Sequence, residues 1–154
     1  MTTVRFSYPH DADTLYRFVT DADAVKARSI ALGERDVRVS KVGETVTNVR
    51  LVEAELPSFA KSLFTPTNTV EDVKAWDATT KKARLTVDVK GAPTKIGGTI
   101  EIVPTATGCD YVVDFQVACK IPFIGGKLEA FVTTATEKGL RDEFDYTVKA
   151  LAAK

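Results

Sequence analysis

The sequence predicts an α+β fold: a curved antiparallel sheet of about seven strands around a long C-terminal helix, with two short helices after strand one. Three observations carry this. Apolar residues alternate with polar ones through most of the chain from Asp36 to Ala118, and short turns separate the runs, so successive strands pair antiparallel. Two capped, helix-periodic segments stand between the first such run and the rest. From Lys127 to Ala152 there is no proline, which leaves room for about seven turns of helix.

In chain order, Val4, Phe6 and Tyr8 alternate with Arg5 and Ser7 as a strand that Pro9 closes. His10 or Asp11 caps a helix presenting Leu15, Phe18 and Val19 on one face; Asp21 or Asp23 caps a second, with Val25, Ser29 and Leu32, which ends at Gly33. Val37 and Val39 begin a short strand from Asp36. Gly43-Glu44 turns the chain, and a longer strand runs from Thr45 to Glu55, before Pro57. Ser58 to Pro66, with Phe59, Leu63 and Phe64, lacks alternation and reads as a loop or helical turn. Thr67 to Trp76 is a strand and Asp77 to Lys82 a polar turn. Leu85, Val87 and Val89 mark the next strand, and Ile96, Gly98, Ile100 and Ile102 follow the Gly91-Ala92-Pro93 turn. After Thr105 to Gly108, Tyr111, Val113, Phe115 and Val117 form the last strand. Pro122 ends it and Gly125-Gly126 permits the elbow into the helix. No repeat or linker interrupts the 154 residues, so one domain, 1–154, is expected.

Lys+Arg and Asp+Glu both number 21, so the net charge is zero and no basic footprint for nucleic acid is present. The first twenty residues hold no apolar run of the secretory kind, and no stretch is long enough for stable membrane insertion. A cytoplasmic location is the expectation. Cys109 and Cys119 sit on one predicted strand, about 33 Å apart in extended chain. A disulfide needs Cα atoms within about 7 Å, so the two thiols are expected to be free within the chain.

The order strand, two short helices, six strands, long helix resembles the helix-grip fold of the START-like (SRPBCC) superfamily, which includes the birch-pollen-allergen proteins and polyketide cyclases. Pro122-Phe123-Ile124-Gly125-Gly126-Lys127-Leu128-Glu129 is similar to the "VP(L/F)(V/I)GGK(I/L)E" elbow of an uncharacterised bacterial family in that superfamily, and Leu56-Pro57 and Trp76 sit where that family tends to have similar residues. The resemblance implies a cavity between sheet and helix for lipids, sterols, polyketides or other apolar molecules. It carries over no catalytic residue.

On the long helix, Leu128, Phe131, Val132, Ala135 and Gly139 share one face, while Leu140, Phe144, Val148 and Leu151 lie on another, rotated by roughly 120–200°. The apolar stripe therefore shifts near Gly139, which requires a bend or a change of packing partner there. Ala135 and Gly139 either pack a backbone closely or leave space for a ligand. Phe59, Leu63 and Phe64 form either a portal or a plug, and Trp76 at a strand end is either structural or a ligand contact. Arg50, Asn48 and Asp72 interrupt apolar strands; strand parity is too mixed to orient them, and an inward Arg50 would anchor a ligand carboxylate. The candidate ligand-binding residues are Arg50, Phe59, Phe64, Trp76, Val87 and Ile100, with Phe115, Phe131, Ala135 and Gly139.

No cofactor and no metal set is expected: His10 is the only histidine, placed to cap or face solvent, and the cysteines are far apart. There is no G-x-S-x-G, no phosphate-binding Gly loop, and the elbow alone accounts for Gly125-Gly126. Three functions follow. Binding of a small hydrophobic, lipid-like or polyketide-like ligand leads; a cyclase or dehydratase type of enzyme in the same cavity and a protein-interaction module without ligand are the alternatives. A dry apolar cavity favours the first, converging ionisable groups the second, a packed interior the third.

Overall fold

The computed structural model describes residues 1–53, 56–62 and 64–154. Among them, seven strands form one antiparallel sheet: β1 (Thr2–Tyr8), β2 (Arg35–Val42), β3 (Thr45–Glu53), β4 (Thr67–Asp77), β5 (Lys82–Val89), β6 (Thr94–Pro104) and β7 (Cys109–Cys119), in the order β1-β7-β6-β5-β4-β3-β2. Two short helices, α1 (Ala12–Val19) and α2 (Ala22–Ala31), carry the chain from one edge of the sheet to the other. A 3-10 turn spans Ser58–Ala60, and α3 (Gly125–Ala152) follows β7. This is the helix-grip architecture expected from the sequence.

Local chemistry sets the joints. Asp11 caps α1 by accepting from the Thr14 N–H at 2.7 Å, and Asp21 caps α2 from Ala24 at 3.0 Å. At the end of α2, Gly33 lies at φ +87° while its N–H bonds Ile30 and that of Glu34 bonds Ser29. That pair of bonds satisfies two helix-end carbonyls and aims Glu34 back toward the sheet. β2 starts at Arg35, and the register slips between Arg35 and Arg38, where Asp36 has φ +49°. β3 is described to Glu53; Ala54, Glu55 and Leu63 lie outside the described residues. At Gly98 a Cβ would sit 2.0 Å from the Asp114 carbonyl oxygen, so only glycine lets β6 approach β7 so closely.

Register orients the three ambiguous polar residues. Asn48 pairs with Asp72, Asp72 with Val87, and Lys74 with Leu85, so these residues face inward with Val46, Arg50 and Val52. The core is continuous from Leu15, Phe18 and Val25 on the short helices to Ile100, Ile102, Val113 and Phe115 on the sheet. α3 is one uninterrupted helix whose packing partner changes along its length. Leu128 is fully buried; Val132, Ala135 and Gly139 border open space; then Phe144 stacks on Phe6, with centroids 4.9 Å apart, and meets the edge of Tyr8. Cys109 and Cys119, at opposite ends of β7, are both free and buried.

Candidate functional site

A cavity of about 470 Å³ lies between the inner face of β3–β6 and the middle of α3. That volume is in the range of small-molecule sites. The sheet wall is Val52, Val70, Leu85, Val87, Val89, Ile96 and Ile100; the helix wall is Val132, Ala135, Thr136, Gly139 and Leu140. Exposed Leu32, Gly33, Glu53 and Lys138 stand on the solvent side. Small side chains on α3 create the space. A Cβ added at Gly139 would meet nothing within 4 Å, so this glycine is not there for close backbone packing.

The apolar walls lead to a group of charged side chains. Arg50 Nε is 3.3 Å from Glu34 Oε2, Arg50 Nη1 is 3.8 Å from Asp72 Oδ2, and Lys74 Nζ is 3.7 Å from Asp72 Oδ1. Arg28, on α2, reaches Glu143 of α3 at 3.4 Å. These pairs are loose. On the surface, by contrast, Arg5–Asp110 and Arg35–Glu53 close to 2.7 and 2.6 Å, the range of strong charge-assisted bonds. Charges shielded from water gain most from tight pairing, so slack in this cluster leaves donor capacity on Arg50 and Lys74 toward the cavity.

Glu143 and Leu140 also border a second void of about 10 Å³, the size of one water, among Tyr8, Arg28, Tyr111 and Thr147. Burial pushes the Tyr8 and Tyr111 hydroxyls well above the usual phenol range, so both remain protonated donors. Burial opposes the charge on Arg28, but Glu143, Tyr111, Asp72 and Glu34 together outweigh it and raise its pKa. Asn48 donates to Ser29 at 2.9 Å beneath the cluster. Among the described residues, no group of three or more His, Cys, Asp or Glu is placed to hold a metal.

Of the residues singled out from the sequence, Arg50, Val87, Ile100, Ala135 and Gly139 line the cavity. Five others lie elsewhere. Trp76 faces inward but at the far end of β4, edge-on to Tyr16 of α1 at 5.5 Å, so α1 rather than a ligand covers it. Phe115 is fully buried in β7, the strand on which α3 packs. Phe59 and Phe131 meet edge-to-face at 6.4 Å outside the cavity wall, and Phe64 is buried core. The portal reading of the 58–66 segment therefore has packed aromatics where it needs an opening, and its Leu63 is outside the described residues.

A family model described as "Protein of unknown function (DUF2505)" matches residues 3–151. The chain belongs to this family. No curated protein matches it. Among solved structures, the chain is similar to TTHA0849 from Thermus thermophilus, with TM-score 0.71 and 15% identity over 97% of each chain. It is similar to the Zhui aromatase/cyclase from Streptomyces sp. R1128, with TM-score 0.69 and 10% identity over 97% of this chain and 91% of that one. It is also similar to a point mutant of norcoclaurine synthase from Thalictrum flavum in complex with a transition-state analogue, with TM-score 0.68 and 15% identity over 98% and 94%. At such identities the likeness establishes the helix-grip fold alone.

Sequence reasoning missed Glu34, Lys74, Glu143 and Arg28. Arg28 and Glu143 sit on helices where charge ordinarily means solvent. The available signal was the inner-face parity of Arg50, Asp72 and Lys74, which becomes readable only with the β3–β4 register.

Proposed function

We propose that this DUF2505 chain binds a small, largely apolar molecule, lipid-like or polyketide-like, with an oxygen-bearing polar end. The observation that carries this reading is the division of the cavity into apolar walls and a loosely paired charged end. An apolar body against Val87, Ile100, Ala135 and Gly139 would gain about 25 cal/mol for each Å² it removes from water. An oxygen at its end would accept from Arg50 or Lys74 and so complete their hydrogen bonding. The Thalictrum flavum synthase, similar in fold, has been crystallised with dopamine and hydroxybenzaldehyde, which supports a small-molecule role for such a cavity. Native mass spectrometry of the purified protein tests the reading. A co-purified molecule of a few hundred daltons, released on denaturation, is expected; a bare protein that also takes up no apolar probe would overturn it.

A second reading, acid–base chemistry of the cyclase or dehydratase type, is favoured by the convergence of Glu34, Asp72 and Glu143 on the same space. Glu143→Gln separates the two. Binding alone predicts the same bound species in both proteins, whereas chemistry predicts that the variant retains a different, unconverted one.

A further inference from the structure

We propose that the elbow between β7 and α3 docks on an anionic lipid surface, with Phe123 entering the headgroup region. Phe123 is fully exposed, at 105% of its reference area, and among the described residues it is the only aromatic of the exposed large apolar ones. Its backbone sits at φ +72°, where side chains other than glycine are rarely found. The Ile124 N–H bonds the Pro122 carbonyl at 2.9 Å, closing a three-residue turn with Phe123 at its apex. A left-handed apex would suit glycine, yet the chain holds an aromatic ring there and turns it into solvent. Ile121 and Ile124 flank it half-buried.

The surroundings are cationic. Lys120 and Lys127 bracket the turn; Lys95 lies beside it, since its backbone pairs with Ala118; and Lys61 follows Phe59, whose ring lies 5.6 Å beneath Lys127 Nζ. All four lysines are exposed, and among the described residues none forms a salt bridge. The carboxylates nearest in chain and register are Glu129, in the second turn of the helix, which accepts from the Cys119 N–H at 3.2 Å, and Asp88, which pairs with Lys95 across the sheet and is bridged by Lys90 at 3.2 Å. In a chain of zero net charge, this end is thus locally positive. One projecting aromatic within a ring of lysines offers too little apolar area for a stable protein interface. It matches a bilayer instead, where aromatics seat at headgroup level and lysines meet anionic lipid. The elbow leads into the stretch of α3 that walls the cavity, so docking would place the cavity beside the membrane.

The inference stands apart from the cavity reading, because vesicle binding needs no ligand inside. Sedimentation with phosphatidylcholine vesicles containing phosphatidylglycerol tests it, with pure phosphatidylcholine as the reference. The wild type is expected to bind the anionic vesicles and to release as salt rises. Phe123→Gly should be at least as resistant to thermal unfolding, since glycine relieves the backbone, yet bind roughly tenfold more weakly. Lys120→Glu with Lys127→Glu should abolish binding while leaving the circular dichroism unchanged. No binding by the wild type, equal binding to neutral vesicles, or full binding by Phe123→Gly would each overturn the proposal. So would a dimer that Phe123→Gly dissolves, which would give the elbow to a second copy of the chain.

Discussion

Arg50 on β3 and Asp72 on β4 face each other inside the sheet at 3.8 Å, beyond hydrogen-bonding reach. Asp72 is shared with Lys74 at 3.7 Å, while Arg50 also reaches Glu34 at 3.3 Å, so Lys74 depends on Asp72 and Arg50 divides its charge between two carboxylates. Removing a partner from such a group leaves charge without compensation, which costs more than the pair itself contributes. Asp72→Asn is therefore expected to lower stability by about 2 kcal/mol, moderated by water at the open side of the cavity. The same change should strengthen binding of a fatty carboxylate, because Arg50 and Lys74 lose their competitor. Urea denaturation with and without the carboxylate measures both effects, and unchanged affinity would remove the polar-end assignment.

Two glycines predict opposite responses to the same substitution. Gly139→Ala adds a methyl group to empty space in mid-helix, so stability should rise by about 0.5–1 kcal/mol. Gly98→Ala drives a methyl group into the Asp114 carbonyl and should cost upwards of about 2 kcal/mol. Thermal unfolding of both variants checks the pair. Destabilisation by Gly139→Ala would mean that the helix lies closer to the sheet than described.

The cavity volume has its own test on the neighbouring turn of α3. Ala135→Phe places a ring in the space between Val87, Ile100 and the helix, where there is room for it. The variant should remain folded and lose a fluorescent apolar probe that the parent binds. A closely packed core would answer differently, with a loss of typically about 1–3 kcal/mol and no probe bound by either protein.

The fold was legible because its signals are local. Period two, the Asp caps, Gly33 and a proline-free helix each depend on a few adjacent residues and lie where they were expected, except that β7 ends at Cys119, the elbow turns at Phe123, and Gly125-Gly126 already belong to the helix. The site was only half legible because its polar end is made by register. In β3, Val46, Asn48, Arg50 and Val52 are no more apolar than the intervening Thr47, Val49 and Leu51, so alternation could not choose a face. Trp76 and Phe115 misled for a related reason: each does face inward, but what covers it, Tyr16 for one and the buried core under α3 for the other, follows from tertiary placement. Phe123 looked like one part of an elbow sequence, and nothing in its neighbours announced that its side chain would be left outside.

Alkaline pH should expose the cost of the buried hydroxyl and thiol groups. Desolvation pushes the Cys109 thiol from 9.0 up to about 11, with Asp110 adding to the effect, and burial raises Tyr8 and Tyr111 above their usual range. In each case the unfolded chain releases its proton at lower pH than the folded one. The folded state therefore holds more protons above pH 9, and its stability must fall as pH rises from about 9 through about 11. Below that window the contribution is fully present and the curve should be flat in these groups. Chemical denaturation from neutral pH to about pH 10.5 is expected to show a declining free energy of unfolding, with a shallower slope in Cys109→Ala. A slope that Cys109→Ala leaves unchanged would mean that the thiol reaches water in the folded protein.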